Sequence, residues 1–429
     1  MREQKFVVEN KYPVYFTRDV FSEKNHCFAE SIDNFFEGSY FSNPYGDCGN
    51  RKISENYGAE VKKHRILFFI DDGVLRAWPN LTSDIAGYFR TYRNFEMISD
   101  QPITLPGGEA CKNDQGLLWE TLQKFSKLKV DRHSFVVAIG GGAVLDFVGF
   151  ISAIVHRGIR HIRMPTTVLS QNDSGVGVKN GINAFGQKNF LGTFAPPVAV
   201  INDFNFLDSL SLRDKMSGLS EAIKVAMIKD ADFFFWLERN AFELKNFQFD
   251  AVDYMIKRCA DLHMQHIVTS GDPFERGSSR PLDFGHWAAH RLENMTHHEI
   301  RHGEAVAIGM LIDLHCSVQK GFIPFSLLLR VYDLLHKLGL PTWHNALKFR
   351  DEFNQLSLIK GLEEFREHLG GRLSITLIED IGRCKEVSKI SSDQIEYALK
   401  WLEGMHLNMQ TSFTVPVKKE GYADHTQAR

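Results

Sequence analysis

The segment 134-SFVVAIGGGAVLDFVGFISAIV-155 decides how the rest of the chain reads. Residues 134–140 form an apolar, β-branched run suited to a buried strand, and Gly140, Gly141 and Gly142 close it. Such glycines let the backbone turn sharply, bringing N–H groups and a helix N-terminus close to a pyrophosphate. A tight strand-to-helix turn with no ligand would use the same residues. Phe135 to Val155 is long and nearly all apolar, yet the glycines and Asp146 inside it predict strand, turn and buried helix instead of a membrane span.

Downstream, Pro165-Thr166-Thr167, Asp173-Ser174, Lys179 and Lys188-Asn189 place seven polar groups within 24 residues, interleaved with glycines. A polar, glycine-rich loop between apolar strands predicts a binding surface, the alternative being a solvated excursion. Upstream, Arg65 to Ile70 reads as a second buried strand ending on Asp71, and helical periodicity follows in Ile85–Tyr92 and in Leu117, Leu118, Leu122, Phe125 and Leu128. This alternation predicts a parallel sheet. Residues 4–17 suggest an opening pair of strands, and residues 38–58 a loop. Asp71, at a strand end, either accepts the hydroxyls of a ribose or caps a turn. Glu109 and Lys112, three apart, read by themselves as an ordinary surface ion pair.

From Leu212 onward long helices dominate: Lys215–Asn246, Ala251–His266, His302–Gln319 and Phe325–Leu338, then a strand at 373–378, a helix over Ser391–Met405 and a frayed end at 417–429. The expected division is an α/β domain over 1–212 and a helical domain over 213–429. Within the helical half, Glu221 and Lys224 are three apart, His286 and His290 four apart, and His302 opens a further helix. One carboxylate with two imidazoles, leaving positions open, is a catalytic zinc pattern, although 18 histidines also allow chance clustering.

The chain has 429 residues, with 50 basic against 53 acidic side chains and a net charge of −3, so no global field recruits nucleic acid or an anionic membrane. Its six cysteines never approach Cys-x-x-Cys spacing, and no apolar signal core follows the first residues. A reducing, cytoplasmic setting is the expectation.

Taken together, Glu109-x-x-Lys112, Gly140-Gly-Gly-x-x-x-Asp146, Pro165-Thr-Thr167, Asp173-Ser174 with Lys179, Lys188-Asn189, Glu221-x-x-Lys224, Gly285-His286 and His302-Gly-Glu304 resemble the sugar phosphate cyclases, whose best-known member is 3-dehydroquinate synthase. The resemblance spans about residues 65 to 320. It implies a Rossmann-like NAD-binding α/β domain followed by a mostly helical metal-binding domain. Asp71, Glu109, Lys112, Gly141, Gly142, Asp146, Thr166, Thr167, Asp173 and Ser174 would then serve NAD. Glu221, His286 and His302 would ligate zinc, with cobalt as the alternative metal. Lys179, Lys188, Asn189, Arg157 and His290 would surround a sugar phosphate, Lys224 would contact its hydroxyls, and Asp283 would face the substrate. By the same resemblance the enzyme is a homodimer in which Arg157 reaches the neighbouring subunit's phosphate.

The departures matter as much. Asp283 stands where dehydroquinate synthases carry asparagine, Gln265 where they carry lysine, and Ser279 where they carry arginine, although Arg280 is adjacent. Their late Asp-Lys-Lys loop is replaced by Gly361-Leu-Glu-Glu-Phe-Arg-Glu-His368. Charges that would receive a substrate carboxylate are therefore missing or reversed. That points to the branch that cyclises a ketose phosphate without a carboxylate, as 2-epi-5-epi-valiolone synthases do with sedoheptulose 7-phosphate, while retention of His290 sets the chain apart from many of those. The implied reaction is redox-neutral: transient oxidation by bound NAD, loss of phosphate, return of the hydride, ring opening and aldol closure. A 3-dehydroquinate synthase, a metal-dependent polyol dehydrogenase, and a cofactor-binding protein without turnover remain as alternatives.

Overall fold

The computed structural model describes residues 2–5, 8–37, 63–274, 281–371 and 373–414. The expectations at 38–58, Ser279, Arg280 and 417–429 lie outside them. Before Leu212 the strands are β1 (Val14–Thr17), β2 (His64–Asp71), β3 (Phe95–Met97), β4 (Ile103–Leu105), β5 (Phe135–Gly140), β6 (Arg160–Pro165), β7 (Lys179–Ala184), β8 (Gln187–Phe194) and β9 (Ala199–Asp203). Seven of them form one sheet in the order β1-β9-β6-β5-β2-β3, with β4 also on β2, and every pairing in it is parallel.

Side chains that alternate along a strand explain why the central runs are apolar throughout. Phe68, Ile70, Phe135, Val137 and Ile139 enter one core, and Leu67, Phe69, Val136 and Ala138 enter the other, where Val144, Phe147 and Val148 of the Gly142–Ile154 helix cover them. The register pairs Ile70 with Ile139 and Gly140 with Pro165. Asp71, Gly140 and Thr166 therefore meet at the carboxyl edge of the sheet, where open α/β sheets bind ligands.

Three expectations need correction. Residues 4–17 yield a single strand among the described residues, β1, because its partner β9 is parallel and leaves no hairpin return. The polar stretch after Thr167 is not a loop: Ser170–Ser174 is a helical turn and β7–β8 an antiparallel hairpin, since Asn180, Gly181 and Ile182 pair with Thr193, Gly192 and Leu191. The helix expected over Lys215–Asn246 is four, Leu212–Ser217, Leu219–Lys229, Ala231–Arg239 and Ala241–Lys245. Asp230 accepts from the Phe233 amide at 3.0 Å and so restarts the chain with its own cap.

The helical half begins at Leu212 and shares one large core, including β10 (Ile375–Asp380), which pairs with β11 (Arg383–Val387). Its helices include Phe249–Thr269, His286–Met295, His302–Gln319 and Ser392–Thr414. Among the described residues no helix is long and apolar enough to cross a membrane, and Cys27, Cys111, Cys259, Cys316 and Cys384 are free thiols.

Candidate active site

At the sheet edge, Gly141 caps the Gly142–Ile154 helix with no side chain supplying the cap. The first helical N–H groups thus keep the arrangement that favours an anionic group. A Cβ on Gly142 would sit 2.6 Å from the Ser174 hydroxyl, which is buried and lacks a hydrogen-bond partner, so any side chain there would have to displace that hydroxyl. Thr166 donates its amide to Gly140 O at 3.0 Å, and the Thr167 and Ser170 hydroxyls are 2.8 Å apart. Asp71 Oδ1 accepts from the amides of Gly73 (2.7 Å) and Val74 (3.3 Å), so its capping role is real; burial nevertheless pushes its carboxyl above the ordinary range.

Glu109 and Lys112 are not a surface pair. Lys112 is buried and donates to Asp146 Oδ2 at 2.8 Å and to the Asn189 side chain. Glu109 accepts from Asn183 at 2.8 Å and lies 3.7 Å from Lys188. Burial would raise Glu109, but Lys112 and Lys188 outweigh it and hold the carboxyl below its usual range.

The other wall comes from helix beginnings. Glu221 is in the first turn of Leu219–Lys229, and His286 and His302 open their helices. Positive helix ends favour a carboxylate and disfavour imidazolium, so this placement suits neutral ligands around an anion. Glu221 Oε1 lies 3.8 Å from His286 Nε2 and 3.7 Å from His302 Nε2. Each imidazole is turned by its other nitrogen: His286 Nδ1 contacts Phe284 O at 3.1 Å, and His302 Nδ1 contacts Glu293 Oε2 at 3.0 Å. Lys224 Nζ lies against Glu221 Oε2, while the buried Oε1 has no hydrogen-bond partner. Burial, then the Lys224 charge, holds His286 well below the usual imidazole range, which keeps it neutral. A buried carboxylate oxygen facing two oriented Nε2 atoms fits a divalent metal with open positions.

Two glycines bring these helices together. Gly285 has φ +78°, and a Cβ at Gly309 would lie 2.0 Å from Gly285 O. Asp313, fully buried, ties the same turn by accepting from the Gly285 amide and Trp287 Nε1, both at 2.8 Å, and burial pushes its carboxyl up to about 7. Gly309→Ala is expected to destabilise the protein by about 3 kcal/mol, the upper end for overpacking, and to weaken metal binding by displacing His286. Urea denaturation and metal titration of the variant check this, and wild-type values in both would show that the helices yield without cost.

Most of the expected residues converge. Lys224 sits beside Glu221 and 3.8 Å from Asp173, and Asp283 adds to the field that raises its ammonium. His290 lies 5.4 and 5.8 Å from the rings of His286 and His302. Asp173, expected with the cofactor, is grouped instead with Lys224 and with His263, whose Nδ1 is 2.8 Å away. Lys188 is held by Glu293 at 2.8 Å, and Lys179 is exposed at the start of β7. Arg157 stands apart, beyond the far end of a 13-residue helix from the glycine turn, roughly 20 Å at 1.5 Å per residue. Glu293, His263 and Asn183 escaped the sequence reading. For Glu293 a signal existed, since it follows His290 by three positions on one helix face; His263 and Asn183 carried none.

Residues 102–217 match the 3-dehydroquinate synthase N-terminal family and residues 218–360 its C-terminal counterpart. The 3-dehydroquinate synthase of Dictyoglomus turgidum is 36% identical over 299 residues, which is 70% of this chain and 81% of that protein. Among solved structures, the 2-epi-5-epi-valiolone synthase of Streptomyces hygroscopicus subsp. jinggangensis, with NAD+ and Zn2+ bound, aligns with a TM-score of 0.78 and 25% identity, covering 94% of this chain and 100% of that one. A 2-deoxy-scyllo-inosose synthase complexed with carbaglucose-6-phosphate, NAD+ and Co2+ aligns with a TM-score of 0.68 and 21% identity, covering 90% and 96%. The fold and the site thus define a carbon–oxygen lyase of the phosphate-eliminating cyclase type. The chain belongs to the 3-dehydroquinate synthase family.

Proposed function

We propose that the chain is an NAD- and zinc-dependent sugar phosphate cyclase whose substrate is a ketose phosphate without a carboxylate, such as sedoheptulose 7-phosphate. The observation that carries the substrate reading is the charge around Lys224, which is flanked by Glu221, Asp173 and Asp283. A cation so compensated suits neutral hydroxyls, whereas a substrate carboxylate would meet Asp283. Gln265 is exposed and supplies no charge. The 2-epi-5-epi-valiolone synthase alignment supports this reading. A 3-dehydroquinate synthase is the second reading, favoured by the 36% identity to enzymes of that name.

Glu221, His286 and His302 would hold the metal. Asp71, Glu109, Lys112, Gly141, Gly142, Asp146, Thr166, Thr167 and Ser174 would hold the dinucleotide. When bound, the two supply a Lewis acid and a reversible hydride acceptor. The chain's own residues do the rest: Lys224 donates to substrate hydroxyls, Asp283 accepts from one, and the Asp173–His263 pair orients another. Lys179, Asn189 and His290 surround the phosphate, with Lys188 beside them. In a homodimer Arg157 would complete the phosphate site of the second copy, which its distance from its own glycine turn favours.

With sedoheptulose 7-phosphate, the purified enzyme is expected to release one phosphate per turnover while absorbance from NADH shows no net rise. Stoichiometric NADH from an unphosphorylated polyol, with no phosphate released, would transfer the assignment to a polyol dehydrogenase.

A further inference from the structure

Glu293 is a buried carboxylate that the proposed chemistry does not use. It lies on the His286–Met295 helix, seven positions after His286. Its Oε2 is 3.0 Å from His302 Nδ1, and its Oε1 accepts from Lys188 Nζ at 2.8 Å. Lys188 belongs to β8, on the hairpin of the α/β half, and also lies 3.7 Å from Glu109. The series Glu109, Lys188, Glu293, His302, Glu221 therefore spans the cleft from the dinucleotide side to the metal side, with hydrogen bonds at the two central links and 3.7 Å separations at the outer two.

We propose that Glu293 is a positioning residue with two duties: it fixes the tautomer and angle of the metal ligand His302, and it locks the β7–β8 hairpin onto the metal-bearing helices through Lys188. With a proton on Nδ1 shared with Glu293, His302 presents its Nε2 lone pair toward Glu221 Oε1, as a metal ligand must. The second carboxylate oxygen is then left for a donor, and Lys188 is the cation that reaches it. The side chains of Lys188 and Glu293 are 12% and 3% exposed, so removing either strips a desolvated charge of its nearest counter-charge, a costly state that keeps them together. His290, Glu293 and His302 also lie close enough to form a second metal set. The Lys188 contact and the His302 bond occupy both Glu293 oxygens and mark it as an orienting group. One metal per chain follows, since His302 has one nitrogen facing Glu221.

This inference rests on the metal reading of Glu221, His286 and His302 but not on any substrate. Two measurements test it on the full-length, metal-stripped protein. In competition with a chromophoric chelator, Glu293→Ala is expected to weaken zinc affinity by about 10- to 100-fold, and Glu293→Gln, which keeps an acceptor for His302, to fall between it and wild type. Hydrogen exchange reads the lock: zinc is expected to protect residues 179–194 in wild type, and Lys188→Met, whose side chain touches no ligand of the metal, to lose that protection. Zinc affinity of Glu293→Ala within threefold of wild type would overturn the positioning role. Full hairpin protection in Lys188→Met would overturn the lock. Should wild type itself bind no zinc, the metal reading fails instead, so the two failures are distinguishable. Far-UV circular dichroism of each metal-free variant, unchanged from wild type, shows that a weaker affinity is not unfolding.

Discussion

His286→Ala is expected to lower bound zinc from about one per chain to near none and turnover by a thousandfold or more, since a metal Lewis acid contributes several kcal/mol to such steps. The loss is steep because the ligand set is small. Two Nε2 atoms stand within 4 Å of one buried Glu221 oxygen, and His286 is one of them. Removing it also leaves Glu221 with a buried charge and Lys224 as its main compensation. Elemental analysis and a chelator titration of wild type and variant check this. Wild type without divalent metal, and active in excess chelator, would refute it.

The second large effect concerns the substrate. Sedoheptulose 7-phosphate is expected to release phosphate at least about a thousandfold faster than the carboxylated seven-carbon precursor of dehydroquinate, because a carboxylate brought against Asp283 in a partly dry pocket costs on the order of several kcal/mol. Asp283 lies near enough to Lys224 to raise its ammonium, and Glu221 and Asp173 flank the same lysine. Around the cleft the buried lysines are already engaged by carboxylates, Lys112 by Asp146, Lys188 by Glu109 and Glu293, and Lys224 by Glu221 and Asp173. Asp283→Asn is expected to narrow the preference by relieving the repulsion alone. Side-by-side phosphate release with product mass decides the matter: comparable turnover of the carboxylated compound by wild type would establish the 3-dehydroquinate synthase reading in place of ours.

Where signals were local, sequence alone carried far. The apolar run from Phe135, its glycines and the helix behind them are short-range features, and the structure has strand, turn and helix in that order. Glu221, His286 and His302 were legible because each sits at a helix beginning within a short motif, and they do converge. Long-range pairing was not legible. The polar stretch after Thr167 looked like a loop because a two-stranded hairpin with one exposed strand lacks the apolar alternation that marks a half-buried sheet. The run from Lys215 hid three interruptions, since helical periodicity continues through a cap such as Asp230 when both flanking helices face the same core.

The amino-acid sequence by itself determined the parallel sheet, the glycine turn at its carboxyl edge and the helical second half, because these depend on spacing along the chain; Glu221, His286 and His302 stood out as a set through the family resemblance. Only the tertiary structure decided which charges cancel. Lys112 pairs with Asp146 and not Glu109, Lys188 bridges Glu109 to Glu293, and Asp173 turns toward Lys224 and His263. These partners are 34 to 105 positions apart. Buried charge must find a counter-charge wherever the packing of helix on sheet brings one within reach, and no local pattern in the chain records that choice.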